Sequence, residues 1–123
     1  MVKEAYCSFE VAKLLKEKGF DEPCFYYYKD GVLMFSPFLK GRNSYQTDTC
    51  SAPTHQMTMA WLREVHNIFI EIGASIDLNG NYHFCYIILD KKCRYVRKDY
   101  TDFDWNYEDA VEAALKYVLE NLI

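Results

Sequence analysis

Two turn signals, one in each half of the chain, most strongly constrain the fold. Asp30-Gly31 and Asn79-Gly80 are dipeptides typical of two-residue turns between antiparallel strands. Each lies between runs rich in aromatic and β-branched residues, which favour strands. The sequence therefore predicts two β-hairpins. Their strands are expected over residues 24–29 with 32–35, and over about 69–78 with 81–89.

Helices are predicted before, between and after these hairpins. The first covers residues 9–18, because Ser8 can cap its start and Gly19 can adopt the positive φ of a C-terminal cap. The last begins after Asn106, with Asp109 completing a variant of the capping box. Its apolar stripe continues to the final residues, so we expect that end of the chain to be docked.

The sequence leaves open where the middle helix begins and ends. Its cap is Ser51 or Thr54, and it ends either at His66-Asn67 or as late as Gly73. Alternating isoleucines after His66-Asn67 indicate a strand and favour the earlier end. The helical period assigns one face to the core. The residues of that face are Met57, Ala60, Trp61, Glu64 and Val65, and Leu62 flanks it.

This order of elements predicts an α+β domain spanning residues 1–123. We expect an antiparallel sheet of about four strands packed with three helices, in the order α-ββ-α-ββ-α. The first hairpin is apolar on both faces, and three helices would cover the second face only in part. The sequence therefore predicts a homodimer or a partner-binding surface near Tyr26, Tyr28 and the following loop. The alternative is a monomer whose terminal helix covers that face.

Composition narrows the classes of protein to which the chain can belong. The net charge is −4, which argues against a general affinity for nucleic acid, since such binding depends on neutralising phosphates. No apolar run is long enough to span a membrane. The first residues also lack the apolar stretch of a signal peptide. We therefore expect a cytoplasmic protein without a membrane segment.

Neither cysteines nor histidines show the spacing of a metal site. The five cysteines are irregularly spaced, with no C-x-x-C pair, so free and mostly buried thiols are expected. On one helix, His55 and His66 would lie about 16 Å apart, too far to share an ion. Cys50 and His55 are also more widely spaced than usual ligand pairs. The sequence predicts no metal, no cofactor and no catalytic residue. A thiol enzyme is the weakest alternative, because a fold can bring Cys and His together.

The segment 36–53 is the first candidate binding region. It has no periodic pattern, and loops of this length in compact domains are usually functional or disordered. Because the helix that follows would hold the loop in place, binding residues are expected between Lys40 and Thr54 and at the helix start. These residues are Arg42, Tyr45, His55 and Gln56.

A second candidate is the concentrated basic segment at 91–98. Its residues are Lys91, Lys92, Arg94, Tyr95, Arg97 and Lys98, with Cys93 and Val96 between them. Arginine and tyrosine side chains can stack on bases while lysines contact phosphates. The competing interpretation, which we favour, is that these charges lie on an edge strand and prevent strand-to-strand aggregation.

Two segments carry a resemblance to a known group of proteins. They are 51–64, with the sequence SAPTHQM running into AWLRE, and 107–114, with the sequence YEDAVEAA. In these the chain resembles small, mostly uncharacterised proteins encoded by prophages and mobile elements of gut anaerobic bacteria. The resemblance covers most of the chain from Phe9 onward and brings no assigned site residues. It implies a cytoplasmic, phage-associated accessory protein. We therefore expect a non-enzymatic interaction module that binds a protein partner or itself, with nucleic-acid binding as the alternative.

Overall fold

A computed structural model describes residues 2–37, 40–99 and 106–123 of the protein. Within these ranges the chain forms three α-helices and two antiparallel sheets of three strands each. The helices are α1 (Phe9–Glu17), α2 (His55–His66) and α3 (Tyr107–Asn121). The strands are β1 (Tyr26–Lys29), β2 (Val32–Phe35), β3 (Thr49–Ser51), β4 (Phe69–Ile76), β5 (Tyr82–Leu89) and β6 (Tyr95–Asp99). A short 3₁₀ helix covers Asn43–Tyr45.

The predicted α+β class and both hairpins are confirmed, but the single sheet of about four strands is wrong. The two-residue turn predicted at Asn79-Gly80 is also wrong, because the Asp77 amide donates to the Asn81 carbonyl at 3.0 Å and the loop is Leu78-Asn79-Gly80, with a positive φ of 82° at Gly80 and not at Asn79. The sheet orders are β2-β1-β3 and β4-β5-β6, so each hairpin carries a third strand and the predicted element order is also wrong. β3 has three residues, too few for a periodic pattern, and is defined by pairing with β1 in the register Tyr28↔Cys50. β6 overlaps the second half of the basic segment and pairs with β5 across an irregularity at Ile88/Leu89.

Local signals set the ends of α1. The Ser8 hydroxyl accepts a hydrogen bond from the Val11 amide at 3.2 Å. At the other end, Gly19 has φ 90°, and the Phe20 amide donates to the Leu15 carbonyl at 2.9 Å. This is the Schellman ending that the glycine predicted, because the positive φ turns the chain back over the last carbonyls.

The other two helices also begin at predicted caps. Thr54, rather than Ser51, caps α2 by accepting from the Met57 amide at 3.1 Å. Asn67 has φ 56° and ends α2, so the earlier of the two predicted ends is confirmed. The predicted capping box of Asn106 and Asp109 is present at the start of α3.

The core joins all three helices to β5. Phe20 meets Trp61 edge-on with ring centroids 5.3 Å apart, and α3 packs mainly against β5 and α1. The largest completely buried side chains include Phe20, Leu15, Leu62, Ile88, Leu115 and Leu119. No helix in the described ranges is long and apolar enough to cross a membrane.

The predicted buried face of α2 is wrong in part. Trp61 is buried, but Met57 and Val65 are exposed. Thr58, which the pattern left out, lies in the core, as does Leu62, which was expected to flank this face. Thr58 is suited to burial because its hydroxyl donates to the Thr54 carbonyl at 2.9 Å, which satisfies the polar group inside its own helix.

Candidate functional site

The β1–β2 hairpin presents an exposed apolar edge. Asp30 and Gly31 both have positive φ, 51° and 76°, as a type I′ turn requires. The residues that flank such a turn exchange backbone hydrogen bonds, and hydrogen-bonded pairs then alternate along the strands. The Ser36 amide donates to the Phe25 carbonyl at 2.8 Å, in agreement with this pattern. The backbone groups of Leu33 and Phe35 therefore point away from β1, toward the outer edge.

All four residues of β2 are exposed. Val32 and Phe35 are 58% and 54% exposed, and Leu33 and Met34 about 40%. Tyr26 and Tyr28 of β1 are more enclosed, because they face the segment before α1. The Tyr28 hydroxyl donates to the Cys7 carbonyl at 2.7 Å. The exposed part of the first hairpin is therefore β2 rather than the two tyrosines that the sequence singled out.

Two of the other edge strands, β3 and β6, carry side chains that disfavour pairing with another chain. At β3, the Ser51 amide donates to the Asn43 side-chain oxygen at 2.8 Å, and the Lys16 ammonium donates to the Thr49 carbonyl at 2.7 Å. β6 carries Arg97 and Lys98 and is irregular where it meets Leu89. Charges and bulges on an edge strand disfavour pairing with another chain. β2 has neither, and no described residue pairs with its outer edge.

The arginines of the basic segment are engaged within the fold. Arg94 forms an ion pair with Asp90, its Nε lying 2.9 Å from the carboxylate. Hydrogen bonds from the Arg94 and Lys92 amides help hold the pKa of Asp90 below its usual value. Arg97 donates to the Tyr86 hydroxyl at 3.0 Å, and its guanidinium lies 4.3 Å from the centroid of the Tyr117 ring. These contacts support the structural interpretation of the segment, while Lys91, Lys92 and Tyr95 are exposed.

The predicted loop residues occupy two different settings. Arg42 donates to the Asp21 carbonyl at 3.0 Å and so anchors the loop, whereas Tyr45 is 81% exposed. His55 is buried at the start of α2, and Gln56 beside it is exposed. His55 and Gln56 line a cavity of about 330 Å³ that Arg42 and Tyr45 do not line. The fold therefore separates His55 from Arg42 and Tyr45, and it places other side chains, not singled out by the sequence, in contact with His55.

These residues are Cys7 and Glu112, which form a polar cluster with His55 inside the protein. His55 Nε2 lies 2.7 Å from Glu112 Oε1. The other carboxylate oxygen accepts from the Ser8 hydroxyl at 2.7 Å, and the Ser8 amide donates to Oε1 at 2.9 Å. Cys7 Sγ lies 3.1 Å from the Thr58 hydroxyl oxygen. The Cys7–His55–Glu112 cluster thus joins the segment before α1 to α2 and α3.

Within the cluster, Glu112 is a charged carboxylate and Cys7 is a neutral thiol. Burial by itself would raise the pKa of Glu112, but hydrogen bonds from His55 and Ser8 outweigh that effect and lower it. Burial raises the pKa of the Cys7 thiol to about 12, although its hydrogen bond with Thr58 acts in the opposite direction. Cys7 is therefore a protonated thiol at neutral pH, not an activated nucleophile.

Only the position of Glu112 could have signalled this cluster in the sequence. Helical spacing aligns Glu112 with Leu115 and Leu119, so a carboxylate lies within an apolar stripe. A buried carboxylate requires partners, and such a stripe position indicates that they exist without naming them. Cys7 and Thr58 carry no comparable signal.

Native-state thiol labelling should follow burial. We expect Cys93, which is exposed, to react first with a maleimide, and Cys85, which is half-buried, to follow. Cys7 and Cys24 are expected to react only after unfolding, since burial raises their thiol pKa values to about 12 and about 11. Mass spectrometry of partly labelled protein would give the order. Labelling of Cys7 as fast as Cys93 would contradict the described burial.

Comparison of the chain with protein-family models, with curated proteins and with solved structures gives no match in any of the three. A functional conclusion therefore depends on the geometry of the chain itself. Two features stand out in that geometry. They are the exposed outer edge of β2 and the buried Cys7–His55–Glu112 cluster.

Proposed function

We propose that the chain is a non-enzymatic interaction module that associates with a second copy of itself through the outer edge of β2. The observation that carries this proposal is an apolar edge strand whose outward backbone groups pair with no described residue. The resemblance to prophage and mobile-element proteins supports an accessory role in the cytoplasm. The docking surface is β2, in place of the loop and helix start that the sequence favoured.

A second copy suits β2 because the strand can pair with itself in one symmetric register. With Met34 opposite Met34 of the other copy, Leu33 of each chain faces Phe35 of the other, and the outward backbone groups meet. Centring the pair on Phe35 would require an amide from Pro37, which has none. Centring it on Leu33 would require Gly31, which already forms the turn. The two-fold axis therefore passes through the Met34 pair.

Self-pairing would also cover the exposed apolar side chains. β2 contains no charged residue, and strand addition joins main-chain hydrogen bonds to side-chain contacts on both faces. The β2-β1-β3 sheets of the two copies would then join into one continuous sheet of six strands. Met34 and its counterpart would then lie opposite each other, where like charges are destabilising and opposite charges are favourable.

The test is a charge swap at Met34. We expect the native protein to be a dimer at micromolar concentration by light scattering. Met34→Lys and Met34→Glu should each be monomeric, because each places like charges opposite each other at the axis. An equimolar mixture of the two variants should restore a dimer containing one chain of each.

Val96→Lys is the matched control, since Val96 is a similarly exposed apolar residue on the edge strand β6. This variant should remain dimeric. A native protein that stays monomeric over a hundredfold concentration range would overturn the proposal. If the equimolar mixture of Met34→Lys and Met34→Glu stays monomeric even at high protein concentration, the Met34-centred register is rejected.

A further inference from the structure

The Cys7–His55–Glu112 cluster contains three side chains that bind metal ions in proteins. One ligand atom from each, the Cys7 sulfur, a His55 ring nitrogen and a Glu112 carboxylate oxygen, lies within 4.8 Å of the other two. We propose that this cluster is a binding site for a zinc-type divalent cation. The sequence predicted no metal site because the three residues are widely separated along the chain. The inference is independent of the pairing of β2.

Neighbouring residues already orient two of the three ligands. The Ser8 amide and hydroxyl hold the Glu112 carboxylate, at 2.9 and 2.7 Å. The Thr58 hydroxyl lies 3.1 Å from Cys7 Sγ and is itself fixed by the Thr54 carbonyl. Hydrogen bonds of this kind position ligands around metals and raise affinity. Small shifts of side chains that are already close would be enough to bring all three onto one ion.

The donor set favours zinc over harder cations. Calcium and magnesium prefer oxygen ligands alone, whereas zinc accepts sulfur, nitrogen and carboxylate oxygen together. Binding would release the Cys7 thiol proton to solvent and leave a zinc–thiolate bond. The ion would replace the direct His55–Glu112 hydrogen bond. The proton on His55 Nε2 would move to Nδ1 of the same ring or to solvent, so that Nε2 and one Glu112 oxygen can each donate a lone pair to the ion.

Three protein ligands leave a fourth position for water or a small ligand. His55 lines the cavity of about 330 Å³, together with Ala5, Met59, Tyr107 and Glu108. This cavity gives a route from solvent to one side of the cluster, while Cys7 is completely buried on the other. Such an arrangement corresponds to an open zinc site rather than to a closed structural site with four protein ligands.

The test uses the full chain, first stripped of metal with a chelator. Addition of Zn²⁺ should raise the melting temperature by about 5 °C or more at saturation, with one ion per chain. Co²⁺ as a spectroscopic probe should produce a near-ultraviolet thiolate-to-cobalt absorption band. Cys7→Ser should lose this band, and Cys93→Ser, which changes an exposed cysteine, should retain it.

Glu112→Gln provides a second variant, since the amide keeps the size of the side chain and one acceptor oxygen. Its Zn²⁺ affinity should fall by at least about tenfold, because loss of even an outer partner of a metal ligand costs about 10- to 100-fold. Circular dichroism without metal would verify that each variant is folded. Absence of both a thermal shift and a cobalt band in the native protein, or an unchanged band in Cys7→Ser, would overturn the proposal.

Discussion

Replacing Glu112 by alanine is expected to lower the free energy of unfolding by about 3 kcal/mol in metal-free protein. The carboxylate accepts hydrogen bonds from the Ser8 amide, the Ser8 hydroxyl and His55. Alanine removes all of these acceptors and leaves the donors partly buried, which costs more than the loss of a solvated hydrogen bond. The segment before α1 would also lose its attachment to α3. Urea denaturation at a fixed protein concentration gives the measurement.

Glu120→Ala is the matched control for this change. Glu120 lies on the same helix, and its ion pair with Lys116 is exposed and spans 4.0 Å. Exposed pairs of this kind contribute only about 0 to 1 kcal/mol. The two substitutions therefore remove the same side chain at a partly buried and an exposed position of α3. Equal losses of stability would show that the Cys7–His55–Glu112 cluster does not hold the three segments together.

The second large effect is expected for Leu115→Ala. Leu115 is completely buried in the core where α3 packs on β5 and α1. Truncation removes buried methyl groups and leaves a cavity that a close-packed core fills only in part, which typically costs about 2–5 kcal/mol. Leu78→Ala is the control, because Leu78 is fully exposed and its truncation should change stability by less than about 0.5 kcal/mol.

Chemical denaturation of both leucine variants at the same protein concentration would test this expectation. Keeping the concentration equal matters, because self-association through β2 would itself add to the apparent stability. A loss below about 1 kcal/mol for Leu115→Ala would show that α3 can repack without this side chain. It would also place the centre of the core elsewhere.

Local chemistry explains the elements that could be predicted from the sequence. Ser8, Thr54 and Asn106 each bond to an amide three residues ahead, so their role in capping requires no distant partner. The turn at Asp30-Gly31 likewise depends on the φ values that these two residues tolerate. The starts of α1 and α3 and the turn at Asp30-Gly31 could therefore be located from short stretches of sequence, whereas the start of α2 was left open between Ser51 and Thr54.

The strand β3, which the sequence did not predict, depends on distant partners. β3 is three residues long and is held by β1, by Asn43 and by Lys16, none of which is its neighbour in sequence. The buried face of α2 was misassigned for a similar reason. Periodicity alone treats Thr58 as polar and Met57 as apolar, whereas the hydroxyl bonds within its own helix and leaves Thr58 free to pack inside.

For the candidate sites too, the sequence shows part of what matters and only the fold shows the rest. The hydrophobic composition of β2 is visible in the sequence, and so is the basic charge of β6. Only the three-dimensional fold determines that β2 is an uncovered edge and that Arg94 and Arg97 are engaged by Asp90, Tyr86 and Tyr117. Exposure depends on what the rest of the chain covers, which no local pattern contains.

The sequence by itself determined the caps of α1 and α3, the turn at Asp30-Gly31 and the α+β class, because these follow from interactions among residues a few positions apart. The tertiary structure alone decided the pairing of β3, the buried face of α2 and the meeting of Cys7, His55 and Glu112. The last two are separated by 57 positions yet lie 2.7 Å apart. Contacts of this kind form only when packing of the whole core brings distant segments together, and the chemistry of the buried cluster follows from that packing.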